Sequence, residues 1–431
     1  MNLLGVFVNA FKVPDLRRKI GFTFLIIAIY RFGAHIPTPG IDVQAAQSFA
    51  AGATQGVFQF INLFSGGALT QMAVFALGIM PYITSSIIMQ LLTVVIPKLE
   101  AWSKEGEAGY KKITQWTRYL TVVLALLQST GLAFLFHRGQ ITDATGAPVD
   151  LIPNFTPGRV GLIVLSLTAG TALIMWLGEL ITQRGIGNGM SLLIFASIIS
   201  TLPSEGAAIY AQKGWGTFIW ICLIALAVIV AIVVMEQGQR RIPVQYAKRV
   251  VGRRMYGGSS TYIPLKVNQA GIIPIIFASS VLYIPTLLQN TIQHRGIQNF
   301  IENNLINPRS AVYMAIFGLM VIFFAYFYTA ISFNPTDVAD NIKKYGGFIP
   351  GIRPGRQTAE HLDRILTRIV LPGALFIAFI ALMPSIFLAT QDIQQLPFGG
   401  TSILIAVGVS LETMKQIESQ LMMRHYEGFL K

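Results

Sequence analysis

Charged side chains are scarce in this sequence of 431 residues. Only 12% of the residues are Asp, Glu, Lys or Arg, about half of the roughly 25% found in soluble domains, whereas 53% are hydrophobic. This composition excludes an ordinary soluble domain and predicts a chain that crosses a membrane several times. Basic residues outnumber acidic ones by 32 to 19, so their distribution along the chain is informative about orientation.

Groups that perform catalysis or bind metals are equally scarce. The single cysteine, Cys222, lies in an apolar run, which excludes a disulfide framework, and the five histidines lack the spacing of metal ligands. The sequence contains neither a G-x-x-x-x-G-K-[ST] phosphate loop nor a G-x-S-x-G nucleophile motif. The apolar runs also hold almost no Asp, Glu or His, with which ion-coupled carriers bind their ions. We therefore expect no cofactor, metal or enzymatic activity, and a partner that supplies the driving energy.

Two acidic residues stand at the ends of apolar runs. Glu179 precedes Arg184, and Glu236 precedes Arg240 and Arg241. A carboxylate near the membrane surface is stabilised by a basic partner, so we expect each to pair with these neighbouring arginines.

Ten segments approach the ~20 apolar residues that a spanning helix needs. They are Ile20–Ile36, Val74–Ile96, Leu120–Phe136, Val160–Thr182, Gly187–Leu202, Phe218–Met235, Ala270–Leu288, Val312–Ile331, Ile369–Leu388 and Gly400–Met414. The predicted fold class is an all-α polytopic membrane protein with ten transmembrane helices. The N-terminus has no small-residue cleavage site behind a compact apolar core, so we expect no removable signal peptide.

The basic residues orient these spans. With the N-terminus in the cytoplasm and the sides alternating, the cytoplasmic segments contain all basic residues except Arg31, Arg138, Arg159, Lys213, Arg295 and Arg309. This asymmetry is the positive-inside pattern, and it predicts that both termini are cytoplasmic. Five spans per half is an odd number, so two related halves would have inverted topology. We expect the halves to be residues 1–203 and 204–431.

A short apolar stretch, FINLFSGGALTQM, precedes the second span. A helix over residues 57–64 would be about 12 Å long, too short for a hydrocarbon core of about 30 Å. Phe58, Ile61 and Phe64 would share one helical face, and Gly66 and Gly67 give backbone freedom. Such a helix lies at the interface, packs inside the protein or fills a hole. An interfacial helix would carry more Lys or Arg, and none occurs between residues 36 and 96.

Two long loops, residues 236–268 and 333–368, alternate basic clusters with aromatic and β-branched residues. Gly and Pro stand where tight turns would lie, which favours ordered, hairpin-like loops. The basic residues either contact anionic lipids or dock an acidic protein or RNA partner. The docking candidates are Arg240, Arg241, Lys248, Arg249, Arg253, Arg254, Arg353 and Arg356.

Six stretches resemble the SecY family of protein-conducting channel subunits, in consistent order from Ile20 to about Met423. They are FSGGALTQMAVFALGIMPYITSSIIMQLL, GIGNGMSLLIFAS, QRRIPVQYAKRVVGRRMYGG, PLKVNQAGIIPIIFASS, FNPTDVADNIKKYGGFIPGIRPG and FGGTSILIAVGV.

The resemblance implies two five-span halves around a pore that also opens sideways into lipid. The implied pore ring is Ile79, Ile83, Ile194, Ile276 and Ile405. The implied plug is residues 58–68, with Phe58, Ile61, Phe64, Gly66 and Gly67. The implied lateral gate contains Thr84, Gln128, Ser280 and Ile284. An aliphatic ring suits a channel that passes side chains of every chemistry, because it binds none strongly and closes by excluding water. The alternatives are isoleucines that face lipid and small polar residues that only pack helices.

The resemblance also implies the partners. The basic loops, Arg353 among them, would dock the translocation ATPase SecA or a ribosome, and SecE and SecG would be small membrane subunits. The cargo would be signal sequences and unfolded secretory proteins, in the bacterial cytoplasmic membrane. The alternative functions are an inverted-repeat solute carrier, favoured by Pro81 and Pro274 within spans, and a membrane-embedded enzyme.

Overall fold

The computed structural model describes residues 11–42, 62, 64–137, 151–152, 155–246, 249–251, 254–256, 260–289, 295–390 and 400–427. The first half contains helices α1 (Pro14–Gly33), α2 (Met80–Val95), α3 (Pro97–Lys104), α4 (Glu107–His137), α5 (Pro157–Arg184) and α6 (Gly189–Ala211). Helix α7 (Gly214–Gln237) follows a break at Gly214, whose φ of 75° is not helical.

The second half alternates helices with short strands. The strands are β1 (Gln239–Tyr246), β2 (Arg249–Val251), β3 (Arg254–Tyr256), β4 (Ser260–Lys266) and β5 (Gly347–Phe348). The helices are α8 (Ile273–Gln289), α9 (Arg295–Ile301), α10 (Ala311–Ser332), α11 (Pro335–Lys344), α12 (Arg356–Thr390) and α13 (Gly400–Glu427), and a π-helical turn (Glu302–Ile306) follows α9.

A helix lies at each of the ten predicted spans. Among the described residues, five helices are long and apolar enough to cross a membrane: Pro157–Arg184, Gly189–Ala211, Gly214–Gln237, Ala311–Lys344 and Arg356–Ile386. The count becomes six if α2 and α3, bent by 101° at Ile96, form one span. The protein is therefore a multi-pass helical membrane protein, and the count of ten remains a prediction. The predicted domain boundary after residue 203 falls within α6 and also remains a prediction.

The second predicted span begins too early. Residues 66–79 form successive turns, and α2 starts only at Met80. Positive φ angles at Met72 (46°) and Gly78 (57°) interrupt any helix there. Pro81 lies in the first turn of α2, where the missing N–H costs nothing, so it starts the helix rather than kinking it.

The apolar core consists of clusters that join distant parts of the chain. The first cluster joins α1, the turns at residues 66–79 (here called the turn segment), α5, α6 and α13. A second joins the turn segment to α4 and α5, and a third joins α7, α8, α10, α12 and α13. The first cluster thus brings the predicted N-terminal half into contact with α13 of the other half.

The two long loops form one ordered structure. Strands β1 and β4 pair as an antiparallel hairpin, and β5 of the second loop pairs with β1 through Gln245 with Phe348 and Tyr246 with Gly347. Ile242 and Val244 of β1 and Leu362 of α12 lie in one buried cluster beneath this sheet. The predicted hairpin-like order is confirmed for the first loop. In the second loop, α11 and the start of α12 replace the expected hairpin.

Two prolines limit strand pairing in this sheet. Pro243 pairs with Tyr262, and Pro264 pairs with Arg241, two positions further along the ladder. Because proline has no N–H to donate to the partner strand, both fit the non-hydrogen-bonded positions, where the nitrogen faces the outer edge. Pro264 therefore keeps the outer edge of β4 from adding a continuous extra strand, and Pro243 limits the pairing of β1 on its other side, where β5 pairs only with Gln245 and Tyr246.

Candidate functional site

Isoleucines from three separate elements meet in the first core cluster. Ile79 precedes α2, Ile194 lies on α6 and Ile405 lies on α13, and their exposed fractions are 2%, 3% and 1%. Ile83, one turn further along α2, is half-buried and packs against the same cluster. These four predicted ring residues are thus brought together by elements from both predicted halves.

Helix α8 also reaches this cluster. Ile272, immediately before α8, packs against it, and the fifth predicted ring residue, Ile276, is buried one helical turn later. Ile272 precedes the helix, so its contact places the start of α8 beside the cluster, and Ile276 lies in the first turn of that helix. Aliphatic side chains from four regions of the chain therefore converge at this cluster.

The end of the predicted plug segment lies in the same cluster. Phe64 is 2% exposed and clusters with the buried isoleucines. Gly66 and Gly67 have φ angles of 64° and 87°, which favour glycine. A side chain at Gly66 would also lie 2.7 Å from Nη1 of Arg31. Phe58 and Ile61 lie outside the described residues.

Two polar contacts, together called the latch, hold this segment to α1: Arg31 with Gly66, and Tyr30 with Ser65. Nη1 of Arg31 donates a hydrogen bond to the carbonyl oxygen of Gly66 at 2.7 Å. The hydroxyl of Tyr30 lies 2.6 Å from Oγ of Ser197 and 3.3 Å from the carbonyl oxygen of Ser65. The latch therefore joins α1 to the segment through two backbone carbonyls, and the Tyr30 hydroxyl also joins α1 to α6 through the side chain of Ser197.

The predicted gate residues lie on three helices. Thr84 is on α2 and donates to the carbonyl oxygen of Met80 at 2.9 Å, and Gln128 is half-buried on α4. Ser280 is on α8, and its buried hydroxyl finds no hydrogen-bond partner among the described residues. Only the backbone of Ile284, also on α8, is described.

Neighbouring small polar residues mostly bond within their own helices. Ser85 donates to the carbonyl oxygen of Pro81, and Ser129 donates to that of Leu126. Ser129 also lies 3.3 Å from Oγ1 of Thr168 on α5. Packing between helices therefore explains why a serine stands at position 129. It does not explain Ser280, whose hydroxyl has no hydrogen-bond partner among the described residues.

The predicted docking arginines are exposed where the structure describes them. Arg240 and Arg241 lie on β1, and the guanidinium of Arg241 stacks over the ring of Tyr262 at 4.8 Å. Arg353 lies three residues before α12, and Arg356, the first residue of α12, forms an ion pair with Glu360 at 2.9 Å. Lys248 and Arg253 lie outside the described residues, and only the backbones of Arg249 and Arg254 are described.

Both predicted carboxylate pairings were wrong. Glu179 binds Arg118 of α4 through two hydrogen bonds, of 2.8 Å and 2.6 Å, rather than Arg184. Glu236 accepts a hydrogen bond from Asn268 at 2.8 Å, not from an arginine of β1. Helix α5 packs against α4, which brings Arg118 within reach, and β1 leaves α7 as an extended strand with Arg240 and Arg241 exposed.

Sequence reasoning missed the latch and the Arg118–Glu179 pair. The sequence did contain one indication that Arg31 has a particular role, because it is one of six basic residues that the predicted topology places on the outer side of the membrane. Within the described part of the chain, no group of three His, Cys, Asp or Glu residues is placed to hold a metal ion.

Together, the fold and this site define a polytopic helical membrane protein with a buried isoleucine cluster between its helices and an ordered basic region outside its apolar helices. Residues 73–414 match the profile of the SecY family. The chain is 56% identical to a protein translocase subunit SecY of Streptomyces coelicolor and 52% identical to one of Mycobacterium tuberculosis H37Rv, each over the full length of both chains. The chain therefore belongs to the SecY family.

Solved structures have the same fold. One, described as a protein-conducting channel, superposes with a TM-score of 0.65 at 17% identity, covering 95% of this chain and 96% of that chain. Another, described as Sec61 in the canine ribosome-channel complex from the endoplasmic reticulum, gives a TM-score of 0.59 at 17% identity over the same shares.

Proposed function

We propose that the chain is the pore-forming subunit of a protein translocation channel. It passes unfolded polypeptides across the membrane and releases transmembrane segments sideways into lipid. The observation that carries this function is the 56% identity, over the full length, to a protein translocase subunit.

The pore closes at the isoleucine cluster. The burial of Ile79, Ile194 and Ile405 in one cluster supports this assignment, as does the contact of Ile83 with it. A constriction of aliphatic side chains stays dry when empty and yields to any side chain that enters. Ile276 completes the proposed ring from α8.

The segment that ends at Gly67 serves as the plug. Its support is the packing of Phe64 against the isoleucines and the latch that ties Gly66 to Arg31. Because the latch consists of a few hydrogen bonds, it can break and reform as the plug leaves and returns.

The lateral gate lies between α2 and α4 on one side and α8 and α10 on the other, and its two sides meet where α2 faces α8. Ile87 and Leu91 of α2 pack against the cluster that contains Leu282 of α8, so the two helices meet through apolar side chains. Those side chains separate at little cost when a hydrophobic signal sequence replaces them, since it buries comparable apolar area. The unpartnered hydroxyl of Ser280 is positioned to be hydrated when the gate opens.

A disulfide across this gate should stop export. We expect Thr84→Cys with Ile284→Cys, once oxidised, to abolish translocation of a signal-bearing protein into vesicles, and reduction to restore it. Each single cysteine variant is the control, because native Cys222 is present in all of them. Full export with the disulfide formed would remove the gate assignment.

The ordered basic loops dock the partner that supplies energy, SecA or a ribosome. Two observations support this role. Strand β5 fixes the second loop to the first, and Arg240, Arg241 and Arg353 are exposed. Exposed charges on a rigid surface give fast, salt-sensitive association.

Charge reversal at Arg353 should impair docking. We expect Arg353→Glu to lower stimulation of the partner ATPase roughly tenfold, which corresponds to about 1.4 kcal/mol of docking free energy. Arg309→Glu, an exposed arginine on the opposite predicted side of the membrane, should leave stimulation unchanged. Normal ATPase stimulation by the Arg353 variant would contradict the docking role.

The finer topology completes the proposal. Ten spans in two inverted five-helix halves would place both termini in the cytoplasm and the chain in a bacterial inner membrane. SecE and SecG would be its membrane partners, and anionic lipids would contact the basic loops.

Reconstitution tests the function directly. Vesicles containing the protein with SecE, SecG and SecA should import a signal-bearing polypeptide upon ATP addition, and vesicles lacking the protein should not. Uptake of a small solute without polypeptide transport would instead indicate a carrier.

A further inference from the structure

A pocket between α4 and α5 combines an ion pair with an apolar wall. It encloses about 300 Å³ and is lined by Arg118, Met175, Trp176, Glu179, Leu180 and Gln183. Trp176, Glu179 and Gln183 lie three and four residues apart, so they share one face of α5. Trp176 is 55% exposed, which shows that the pocket opens on the outer surface of the helices.

This surface lies at the level of lipid headgroups. Helix α5 has 28 residues, so it is ~42 Å long, whereas the hydrocarbon core is about 30 Å thick. With the helix centred in the core, about 6 Å extends beyond each edge, so Gln183 falls beyond the edge and Glu179, five residues from the helix end, lies at it. Exposed Trp116 and Tyr119 of α4 lie beside Arg118 in sequence, and such aromatic residues are typical of the membrane interface.

The ion pair has unused hydrogen-bonding capacity. The side chains of Arg118 and Glu179 are 36% and 16% exposed. Arg118 uses three of its five N–H groups, two for Glu179 and one for the side-chain oxygen of Gln115 at 2.9 Å. Two N–H groups remain for an acceptor, and each carboxylate oxygen of Glu179 can accept a further hydrogen bond.

We propose that this pocket binds the headgroup of a zwitterionic phospholipid with a primary ammonium, of the phosphatidylethanolamine class. The phosphate accepts from the free N–H groups of Arg118, and the ammonium donates to Glu179. An anionic headgroup is a poorer fit, because Glu179 already neutralises Arg118. A choline headgroup is also poorer, since its quaternary ammonium has no hydrogen to donate. The site does not depend on the translocation function.

Native mass spectrometry of the purified full-length chain tests this. The chain is mixed with equal amounts of phosphatidylethanolamine, phosphatidylcholine and phosphatidylglycerol, and the retained lipid is identified. We expect one preferentially retained phosphatidylethanolamine. Arg118→Gln should weaken its retention roughly tenfold, as loss of a hydrogen bond to a charged group predicts. Glu179→Gln should shift the preference to phosphatidylglycerol, because the cation is then unpaired.

The control and a second variant keep the test decisive. Arg184→Gln removes an exposed charge from the same helix outside the pocket and should retain lipid as the wild type does. If loss of the ion pair prevents folding, Trp176→Ala removes only the exposed wall and should still lower retention. Equal retention of the three lipids by the wild type, an unchanged lipid preference in Glu179→Gln, or an unchanged amount of retained lipid in Trp176→Ala would overturn the proposal.

Discussion

Replacing Ile194 with asparagine should make the resting channel conduct ions. Ile194 is 3% exposed and packs with Ile79 and Ile405, so an amide there lacks a partner while the constriction is dry. An unpaired buried amide costs about 1–3 kcal/mol, and hydration of the constriction relieves that cost. The hydrated population should therefore rise about 5- to 150-fold, measured as conductance of a planar bilayer without substrate.

A control variant distinguishes this effect from general destabilisation. Ile163 is fully buried in the second cluster, away from the proposed ring. Ile163→Asn introduces the same buried amide and should lower thermal stability without raising conductance. If both variants conduct equally, or neither does, Ile194 does not line the closed pore.

Local sequence signals predicted the helices but not the contacts between distant elements. Hydropathy located a helix at every proposed span, because a membrane helix needs a long apolar run. It placed the start of α2 too early, since the turns before Met80 are as apolar as a helix. The helix cannot extend back through Gly78 and Met72, because their φ angles are positive. Of these two residues, only the glycine is a type that indicates a positive φ angle in the sequence.

The missed features all join residues far apart in the chain. Arg118 and Glu179 are 61 residues apart, and Tyr30 and Ser197 are 167 residues apart. The pairing of β5 with β1 likewise joins two loops separated by three helices. Such contacts depend on how whole helices pack, and no periodicity within one segment encodes them. The ring isoleucines were named from family resemblance, since apolar residues are expected throughout a span.

Loss of the latch should also open the resting channel, through a different element. Arg31 donates a hydrogen bond to the carbonyl oxygen of Gly66 at 2.7 Å, and hydrogen bonds to charged groups contribute about 1.5–3 kcal/mol. If opening breaks this bond, Arg31→Gln should increase the open population by about 10- to 150-fold. The measurement is resting conductance in a planar bilayer, with the purified protein matched for amount.

The matched control for this variant is Arg309→Gln, which removes an exposed arginine on the same predicted side of the membrane and should leave conductance unchanged. Tyr30→Phe removes the hydroxyl that contacts the carbonyl oxygen of Ser65 and should act in the same direction as Arg31→Gln. Because both contacts hold the same segment, their effects should not be independent. The fold increase in conductance of the double variant should be smaller than the product of the fold increases of the two single variants. A resting conductance in Arg31→Gln equal to that of the wild type would show that the plug is held in place without the latch.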